Sequence, residues 1–307
     1  SVALGTGWGV SLGLAEFQPW IENRMLEWTS RLDRDRGTGR LTRTAVGRPG
    51  PVRLSNRVIL TVRDLGPRPM PPRLRLAVFS AWREGTWLAP QGQYVKLEPT
   101  AEEWVLDERP GRSGAAELEW VRAATAGLLP IPGTTRVLRD FPAESVERTR
   151  LGTLRANARG GMVGYRAELG TDAAWEAPPA EDDSEGVPSP ELAAVEAVVE
   201  QLGLRGRPVE EVLDALDRFF QREFRYTLEL SDPPAADSRA ATAIGRFLLG
   251  HRSGHCEYFA TAAVLVLRAA GIPARYATGY LLAPDDRAGG VYRVREANGH
   301  AWVRVWR

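Results

Sequence analysis

One cysteine, one lysine and three histidines occur in this sequence of 307 residues, and these scarcities exclude several classes of protein. A single cysteine excludes an internal disulfide framework. The 40 basic and 39 acidic residues leave a net charge of +1, so the chain lacks the basic excess of a nucleic-acid-binding surface. No run of residues approaches the roughly 18 apolar residues of a membrane-spanning helix. With 43% hydrophobic and 26% charged residues, we expect a folded protein with no nucleic-acid partner.

The first part of the chain is predicted to be rich in β-strands. Alternating or β-branched residues predict strands over 58–62, 74–78, 94–98, 103–107, 117–123, 135–139 and 162–168. Short strands separated by glycine and proline turns favour an antiparallel β-sandwich or barrel. We interpret Trp82, Trp87 and Trp104 as core or sheet-face residues and not as a ligand surface. A further helix between Trp8 and Arg36 is expected to be a packing helix.

The later part of the chain is predicted to be helical at first and then to form strands. Residues 173–190 are acidic and rich in proline, which predicts a linker between a β-rich domain over 1–172 and a second domain over 191–307. Apolar periodicity predicts helices over 191–202, 208–223 and 243–249, with a short strand over 224–227. Strands over 274–282, 291–296 and 301–306 are expected to form a small antiparallel sheet. This order of elements is typical of an α+β domain.

The stretch SGHCEYFATAAVLVLRAAGIP contains the only cysteine, Cys256. Apolar residues recur after it at helical spacing, and Gly271 with Pro273 predicts the end of that helix. Cys256 is therefore expected in the first turn, where unpaired N–H groups and the helix dipole lower the pKa of a thiol. His300 follows in GHAWVRVW, at the head of a predicted strand. A thiol at a helix start and a histidine on a strand are the groups that cysteine-based acyl transfer needs.

The segments FLLGHRSGHCEYFATAAVLVLRAAGIPARYATGYL and YRVREANGHAWVRVW resemble the transglutaminase-like superfamily, whose core is similar to that of papain-type cysteine proteases. The resemblance covers about 190–307, and several separate motifs occur in order. More weakly, TAVGRPGPVRLSNRVILTVR and LRLAVFSAWREGTW resemble the β-rich region that precedes this domain in membrane-anchored bacterial proteins of the TgpA type. The resemblance implies an N-terminal β-sandwich-like domain followed by a papain-type α+β domain whose last strands lie beyond Arg307.

The resemblance also implies roles for individual residues. Cys256 would be the nucleophile and His300 its base. The family completes its triad with an aspartate on the strand after the histidine, a position past Arg307, and Asp285 and Asp286 do not match that motif. Without this aspartate, which would orient the imidazole, we expect the chain to be impaired or inactive.

Three neighbours of this pair are candidates for the border of the substrate cleft: His255, Glu257 and Trp302. The alternative for His255 is a solvated loop histidine. A zinc site formed by His251, His255 and Cys256 is disfavoured, because Arg252, Ser253 and Gly254 interrupt any helix that would align the histidines. We expect no metal and no cofactor, and we assign one oxyanion donor to the backbone N–H of Cys256.

The sequence therefore predicts a cysteine-dependent acyl transferase or hydrolase that acts on peptide or protein amides through a thioester. The substrate would be a peptide or protein of the cell envelope. The resemblance implies the extracytoplasmic part of a membrane-anchored bacterial protein, held to the membrane only by segments outside this chain. The alternative is a non-catalytic module that binds cell-envelope peptides or proteins, against which the presence of both Cys256 and His300 argues.

Overall fold

The computed structural model describes residues 46, 50–51, 55–66, 71–88, 94–109, 111, 113–171, 175–178, 187–230 and 238–305. The helix predicted between Trp8 and Arg36 lies outside the described residues, and so does most of the linker predicted over 173–190.

Strands make up most of the regular structure before residue 170. In chain order they are β1 (Gly50–Pro51), β2 (Val58–Asp64), β3 (Arg73–Phe79), β4 (Ala81–Arg83), β5 (Thr86–Leu88), β6 (Val95–Leu97), β7 (Trp104–Val105), β8 (Gly114–Val121), β9 (Ile131–Pro132), β10 (Thr135–Arg139), β11 (Ala143–Arg148), β12 (Leu154–Ala158) and β13 (Met162–Leu169). All seven predicted strands of this region are present, whereas β1, β4, β5, β9, β11 and β12 were not predicted.

Helices and strands alternate in the later part of the chain. The helices are α1 (Ser189–Leu202), α2 (Val209–Glu223), α3 (Ala243–Arg246), which continues into a π-helical turn (Phe247–His251), and α4 (Cys256–Ala269). The strands are β14 (Arg225–Tyr226), β15 (Glu229–Leu230), β16 (Ser253–Gly254), β17 (Ala274–Leu281), β18 (Arg287–Ala288), β19 (Val291–Arg295) and β20 (Gly299–Val305). The predicted α+β class is confirmed, with a strand-rich N-terminal part and helices in the C-terminal part.

Local sequence explains where these elements form. In β8, Ala116, Leu118 and Trp120 are buried while Glu117 and Glu119 are exposed, which is the period-two pattern of a sheet with one solvated face. Helix α2 begins after Pro208 with glutamates in its first turn and has Arg222 in its last turn, an order that suits the helix dipole. None of the described helices is long and apolar enough to cross a membrane.

Two antiparallel sheets dominate the fold. A seven-stranded sheet has the order β18-β19-β2-β8-β13-β10-β7, and a four-stranded sheet has the order β20-β17-β3-β9. A three-stranded sheet of β12, β11 and β6 completes one hydrophobic core, to which Leu60, Leu118, Val146 and Tyr280 contribute from the three sheets. The N-terminal part is therefore sandwich-like, as predicted.

The four-stranded sheet has a second core on its other face, where the helices pack. Phe79, Tyr276 and Val303 of this sheet contact Val266 and other residues of the helices in one cluster. Trp82 and Trp87 of the β4–β5 hairpin join the same cluster, and Nε1 of Trp87 donates to Oγ1 of Thr261 on α4 at 2.9 Å. With Trp104 also buried, the interpretation of the three tryptophans as core residues is confirmed.

The sheets cross the boundary that the sequence predicts between two domains. β3 lies between β17 and β9, and β2 pairs with β19, so each large sheet contains strands from both sides of residue 172. The prediction that the last three strands form one small sheet is therefore wrong for one of them, β19. β17 and β20 pair from Ala274↔Val305 to Tyr280↔Gly299, but β19 pairs with β2, because the turn after β17 leads the chain to the other sheet.

Part of the predicted linker is docked against the four-stranded sheet. Glu176 is buried, forms an ion pair with Arg75 of β3, and lies 2.8 Å from the guanidinium of Arg304 on β20. The carbonyl oxygens of Ala177 and Pro178 each accept from Arg275 of β17 at 3.0 Å. Residues 175–178 therefore connect three neighbouring strands and are not an exposed linker.

Candidate active site

Helix α4 begins at Cys256, as predicted, and His255 is its N-cap. The backbone of His255 is extended, and its Nδ1 accepts the N–H of Glu257 at 3.4 Å. The ring lies edge-on to Tyr258 and is 6% exposed, and burial lowers the pKa of His255 to about 4. The ring is therefore a neutral acceptor at neutral pH. The interpretation of His255 as a solvated loop histidine is wrong, because the ring caps the helix inside the protein.

Three donors surround the sulfur of Cys256. The backbone N–H groups of Ala301 and Glu257 and the hydroxyl of Tyr226 hydrogen-bond to it. The residue as a whole is partly exposed. Such an arrangement stabilises a thiolate.

The protonation state of the free thiol differs from the sequence-based expectation. The pKa of Cys256 is raised to about 12, mainly by burial and also by the carboxylate of Glu257, while the three hydrogen bonds oppose this shift. The expected lowering of the pKa by the helix terminus is therefore wrong for this state of the protein. Desolvation and a neighbouring negative charge outweigh the helix dipole, so the resting sulfur carries its proton.

Strand β20 meets the thiol at the peptide bond between His300 and Ala301. The Ala301 N–H that donates to Cys256 belongs to the peptide bond that follows His300. In the β17–β20 register, His300 lies opposite Gly279. The backbone of His300 therefore lies next to the sulfur of Cys256, the residue that the sequence analysis predicts as its catalytic partner.

The His300 side chain is buried against Trp302. The two rings are nearly parallel, with centroids 6.4 Å apart and 22° between their planes, and His300 is 2% exposed. Ala301 and Val303 pack with α4, so alternation along β20 directs His300 and Trp302 to the other face. Burial, together with the charge of Arg73, lowers the pKa of His300 to about 3. The imidazole is therefore neutral, and its side-chain pairing with Cys256 stays a prediction.

The two other candidates for the cleft border differ in exposure. Glu257 is partly exposed beside the thiol, so it stays a candidate for substrate contact. Trp302 is 6% exposed and packs with Val78, Leu151 and Ala277. The prediction that Trp302 borders an open cleft is therefore wrong, since its side chain supports the His300 ring from within the core.

The histidines near the cysteine have local partners. Nδ1 of His251 lies 3.3 Å from Oγ of Ser253, while Nδ1 of His255 caps α4. Within the described ranges, no three His, Cys, Asp or Glu side chains are grouped so that they could hold a metal ion.

Tyr226 is the residue at the thiol that sequence reasoning missed. The segment 224–227 was predicted only as a short strand, and its partner strand could not be identified from periodicity. The sequence did contain a weak indication, because Phe224 and Tyr226 alternate along this segment. A segment this short cannot bury both rings by itself, so a partner element was to be expected.

The C-terminal part of the chain matches a known family. Residues 196–307 match the family model described as the Transglutaminase-like superfamily. This part of the chain is similar to the transglutaminase-like superfamily. The motif-based resemblance is thus confirmed, and the Cys256 helix and His300 strand both lie within the matched residues.

Two curated relatives share shorter segments. A protein-glutamine gamma-glutamyltransferase of Pseudomonas aeruginosa is 41% identical over 100 residues, which are 33% of this chain and 14% of that protein. The uncharacterized protein YebA of Bacillus subtilis is 39% identical over 67 residues, 20% of this chain and 9% of that protein. The matched segments thus span less than one fifth of either relative.

One solved structure extends the likeness to the strand-rich part. The periplasmic domain of TgpA from Pseudomonas aeruginosa, bound to ethylmercury, superposes with a TM-score of 0.58 at 22% identity, covering 88% of this chain and 92% of that domain. At this identity the match shows a shared fold. The shared fold includes both the strand-rich N-terminal region and the helices of the C-terminal part.

Proposed function

We propose that the protein catalyses acyl transfer from peptide or protein amides through a thioester on Cys256. The observation that carries the proposal is the position of the sulfur at the first residue of α4, where backbone and side-chain donors converge beside strand β20. The match of residues 196–307 to the transglutaminase-like superfamily supports the same reaction class.

The chemistry begins from a neutral pair. Because burial keeps the thiol protonated and the His300 imidazole unprotonated, the thiol proton must move to a base as Cys256 attacks. We assign this role to His300 because the family match includes it. The transfer requires its ring, which packs beside Trp302 on the face of β20 away from α4, to turn towards the sulfur. The sulfur then bonds to the amide carbon, the amine leaves with the proton, and a thioester remains. A second amine resolves the thioester in a transglutaminase, and water resolves it in a peptidase or amidase.

The proposal extends to location and substrate. The fold shared with a periplasmic domain supports an extracytoplasmic site of action, on a peptide or protein of the cell envelope. Attachment to a membrane would depend on segments outside this chain. The aspartate that would complete the triad stays a prediction for a position past Arg307.

The first test uses an activated ester, because p-nitrophenolate leaves without being protonated and the assay then depends mainly on the nucleophile. A protein that extends past Arg307 and includes the expected aspartate is mixed with p-nitrophenyl acetate, and serves as the wild type in these tests. It should produce a burst of p-nitrophenolate and an acetyl group on Cys256, detected by mass spectrometry. C256A should abolish the burst. H300A should slow acylation by about 10²–10⁴-fold, the usual contribution of a general base.

The control variant is H251A, since His251 lies near the cysteine in sequence and has its own partner in Ser253. It should acylate at the wild-type rate. A burst that survives in C256A would refute the mechanism. Absence of acetylation in the wild type would favour the non-catalytic binding module.

A further inference from the structure

Tyr226 is held beside the catalytic helix by a parallel strand pair. β14 and β16 pair with Arg225 opposite Ser253 and Tyr226 opposite Gly254. The N–H of Arg225 donates to the carbonyl of Arg252 at 2.8 Å, and the N–H of Thr227 donates to that of Gly254 at 2.9 Å. Tyr226 is therefore aligned with the residue two positions before Cys256, by backbone bonds that do not depend on its side chain.

Packing fixes the direction of the ring. Tyr226 is 9% exposed and stacks on Phe259, one turn into α4, with ring centroids 6.2 Å apart and 22° between the planes. Phe259 is itself enclosed by Phe220, Phe224 and Phe247. With the backbone and the ring both held, the hydroxyl reaches the sulfur of Cys256. A side chain restrained at both ends loses little entropy when it donates this bond.

We propose that Tyr226 is a catalytic residue whose hydroxyl donates a hydrogen bond to the sulfur of Cys256 and stabilises the thiolate that attacks the substrate. The proposal rests on the proposed function. Tyr226 keeps its proton throughout, and the thiol proton goes to the base. A hydrogen bond to an ionised acceptor is stronger than one to a neutral acceptor, so this contact gains strength as negative charge develops on the sulfur.

The state of the phenol agrees with this role. Burial raises the pKa of Tyr226 well above its usual value, with the nearby Cys256 and Glu257 contributing. The hydroxyl therefore remains a donor at any pH at which the protein works. Together with the N–H of Ala301, it places two fixed donors on the sulfur from two different elements.

Tyr276 provides a matched control in the same neighbourhood. Its ring is fully buried and stacks on Trp87. Burial raises the pKa of its phenol well above the usual value, and Glu257 and Cys256 contribute to the same shift. Its hydroxyl has no hydrogen-bond partner among the described residues. A comparison of Y226F with Y276F therefore distinguishes the loss of a hydrogen bond to the sulfur from the loss of any buried hydroxyl near it.

The test compares how readily the thiol ionises in each variant, through its alkylation rate and without turnover. Since Cys256 is the only cysteine, the rate of iodoacetamide alkylation between about pH 6 and pH 10 reports one group. Y226F should lower the alkylation rate on the rising part of this profile by about tenfold, equivalent to a rise of about one unit in the thiol pKa. Y276F should leave the profile unchanged. Equal profiles for Y226F and wild type, or equal shifts in Y226F and Y276F, would overturn the proposal.

A second variant acts in the opposite direction and keeps the test valid if Y226F is unstable. Tyr226→3-fluorotyrosine preserves the ring and makes the hydroxyl a stronger donor, so alkylation at a fixed pH should accelerate. Slower or unchanged alkylation would contradict the assignment. Urea unfolding of each variant establishes that the folded protein is being compared.

The catalytic part of the proposal is tested by acetylation with p-nitrophenyl acetate. Y226F should slow the burst at least tenfold at neutral pH, while Y276F retains it. A burst unchanged in Y226F would overturn the catalytic role even if the thiol pKa moved. Failure of the wild type to acetylate would instead refute the proposed function, so the two failures are distinguishable.

Discussion

His255 and His300 are two of the three histidines in the chain, and both rings are buried at the ends of the elements that meet at Cys256. Burial lowers the pKa of His255 to about 4 and that of His300 to about 3. A solvated histidine titrates near pH 6.5. The folded protein therefore resists protonation over a range of pH in which the unfolded chain accepts it.

This difference predicts a loss of stability in mild acid. Between about pH 6.5 and about pH 4 the unfolded chain binds more protons than the native state, so the free energy of unfolding falls as the pH falls. H300Q should flatten this dependence, because glutamine does not titrate. Urea unfolding of wild type and H300Q at several pH values gives the difference in slope. Parallel curves for the two proteins would show that His300 is not buried in its neutral form.

The chemistry at Cys256 shows what a single sequence could predict at this scale. The helical spacing after Cys256 and the stop at Gly271 were sufficient to place the thiol at a helix start. The sign of its pKa shift was not predictable, because it depends on burial by residues distant in sequence. Tyr226 was missed for the same reason, since its contact with the sulfur passes through a strand pair of two residues on each side.

At the scale of elements, Gly279 sets how closely β17, β3 and β20 pack. It lies opposite His300 on one side and Arg75 on the other, where the β3–β17 register shifts. A Cβ at this position would overlap the carbonyl oxygen of Leu74 and come 2.8 Å from the Trp302 ring. Only glycine allows the backbone of β3 to approach this closely.

G279A should therefore destabilise the protein by about 2 kcal/mol or more, since the clash is with backbone and with a buried ring. Urea unfolding measures the change. G161A is the control, because a Cβ on Gly161 has no atom within 4 Å and should change stability by no more than about 0.5 kcal/mol. If G279A were as stable as G161A, the close approach of these strands would not be a constraint on the fold.

The strands also show that a sequence pattern can identify a strand without identifying its partner. Alternation in β2, β8 and β13 identified each strand, because one face is buried and the other is solvated. Alternation does not specify a partner, and β19 was assigned to the sheet of its sequence neighbours when it pairs with β2. β12 was missed because two of its three buried residues, Ala156 and Ala158, are small. β11 was missed because Val146 is the only buried residue among its six.

At the scale of the whole molecule, the strand-rich part and the transglutaminase-like part depend on each other. β3 supplies a central strand of the sheet whose other face packs on the helices, and the buried Glu176 links β3 to β20. The composition of residues 173–190 predicted a linker because it is acidic and rich in proline. Glu176 is nonetheless buried, because Arg75 and Arg304 come from strands far apart in sequence.

This dependence predicts that the chain unfolds in one cooperative transition. Among the described residues, five of the six tryptophans precede α1, and the long helices α1, α2 and α4 all follow residue 188. Tryptophan fluorescence therefore reports the strand-rich part and its contact with the helices, where Trp82 and Trp87 lie, and circular dichroism at the helical minimum reports the helices. The two urea curves should coincide, because unfolding either part removes strands from both large sheets. Separate midpoints would mean that the shared sheets do not couple the two parts. Iodoacetamide labelling of Cys256 across the same urea range adds a third probe at the site, and its midpoint should equal the other two.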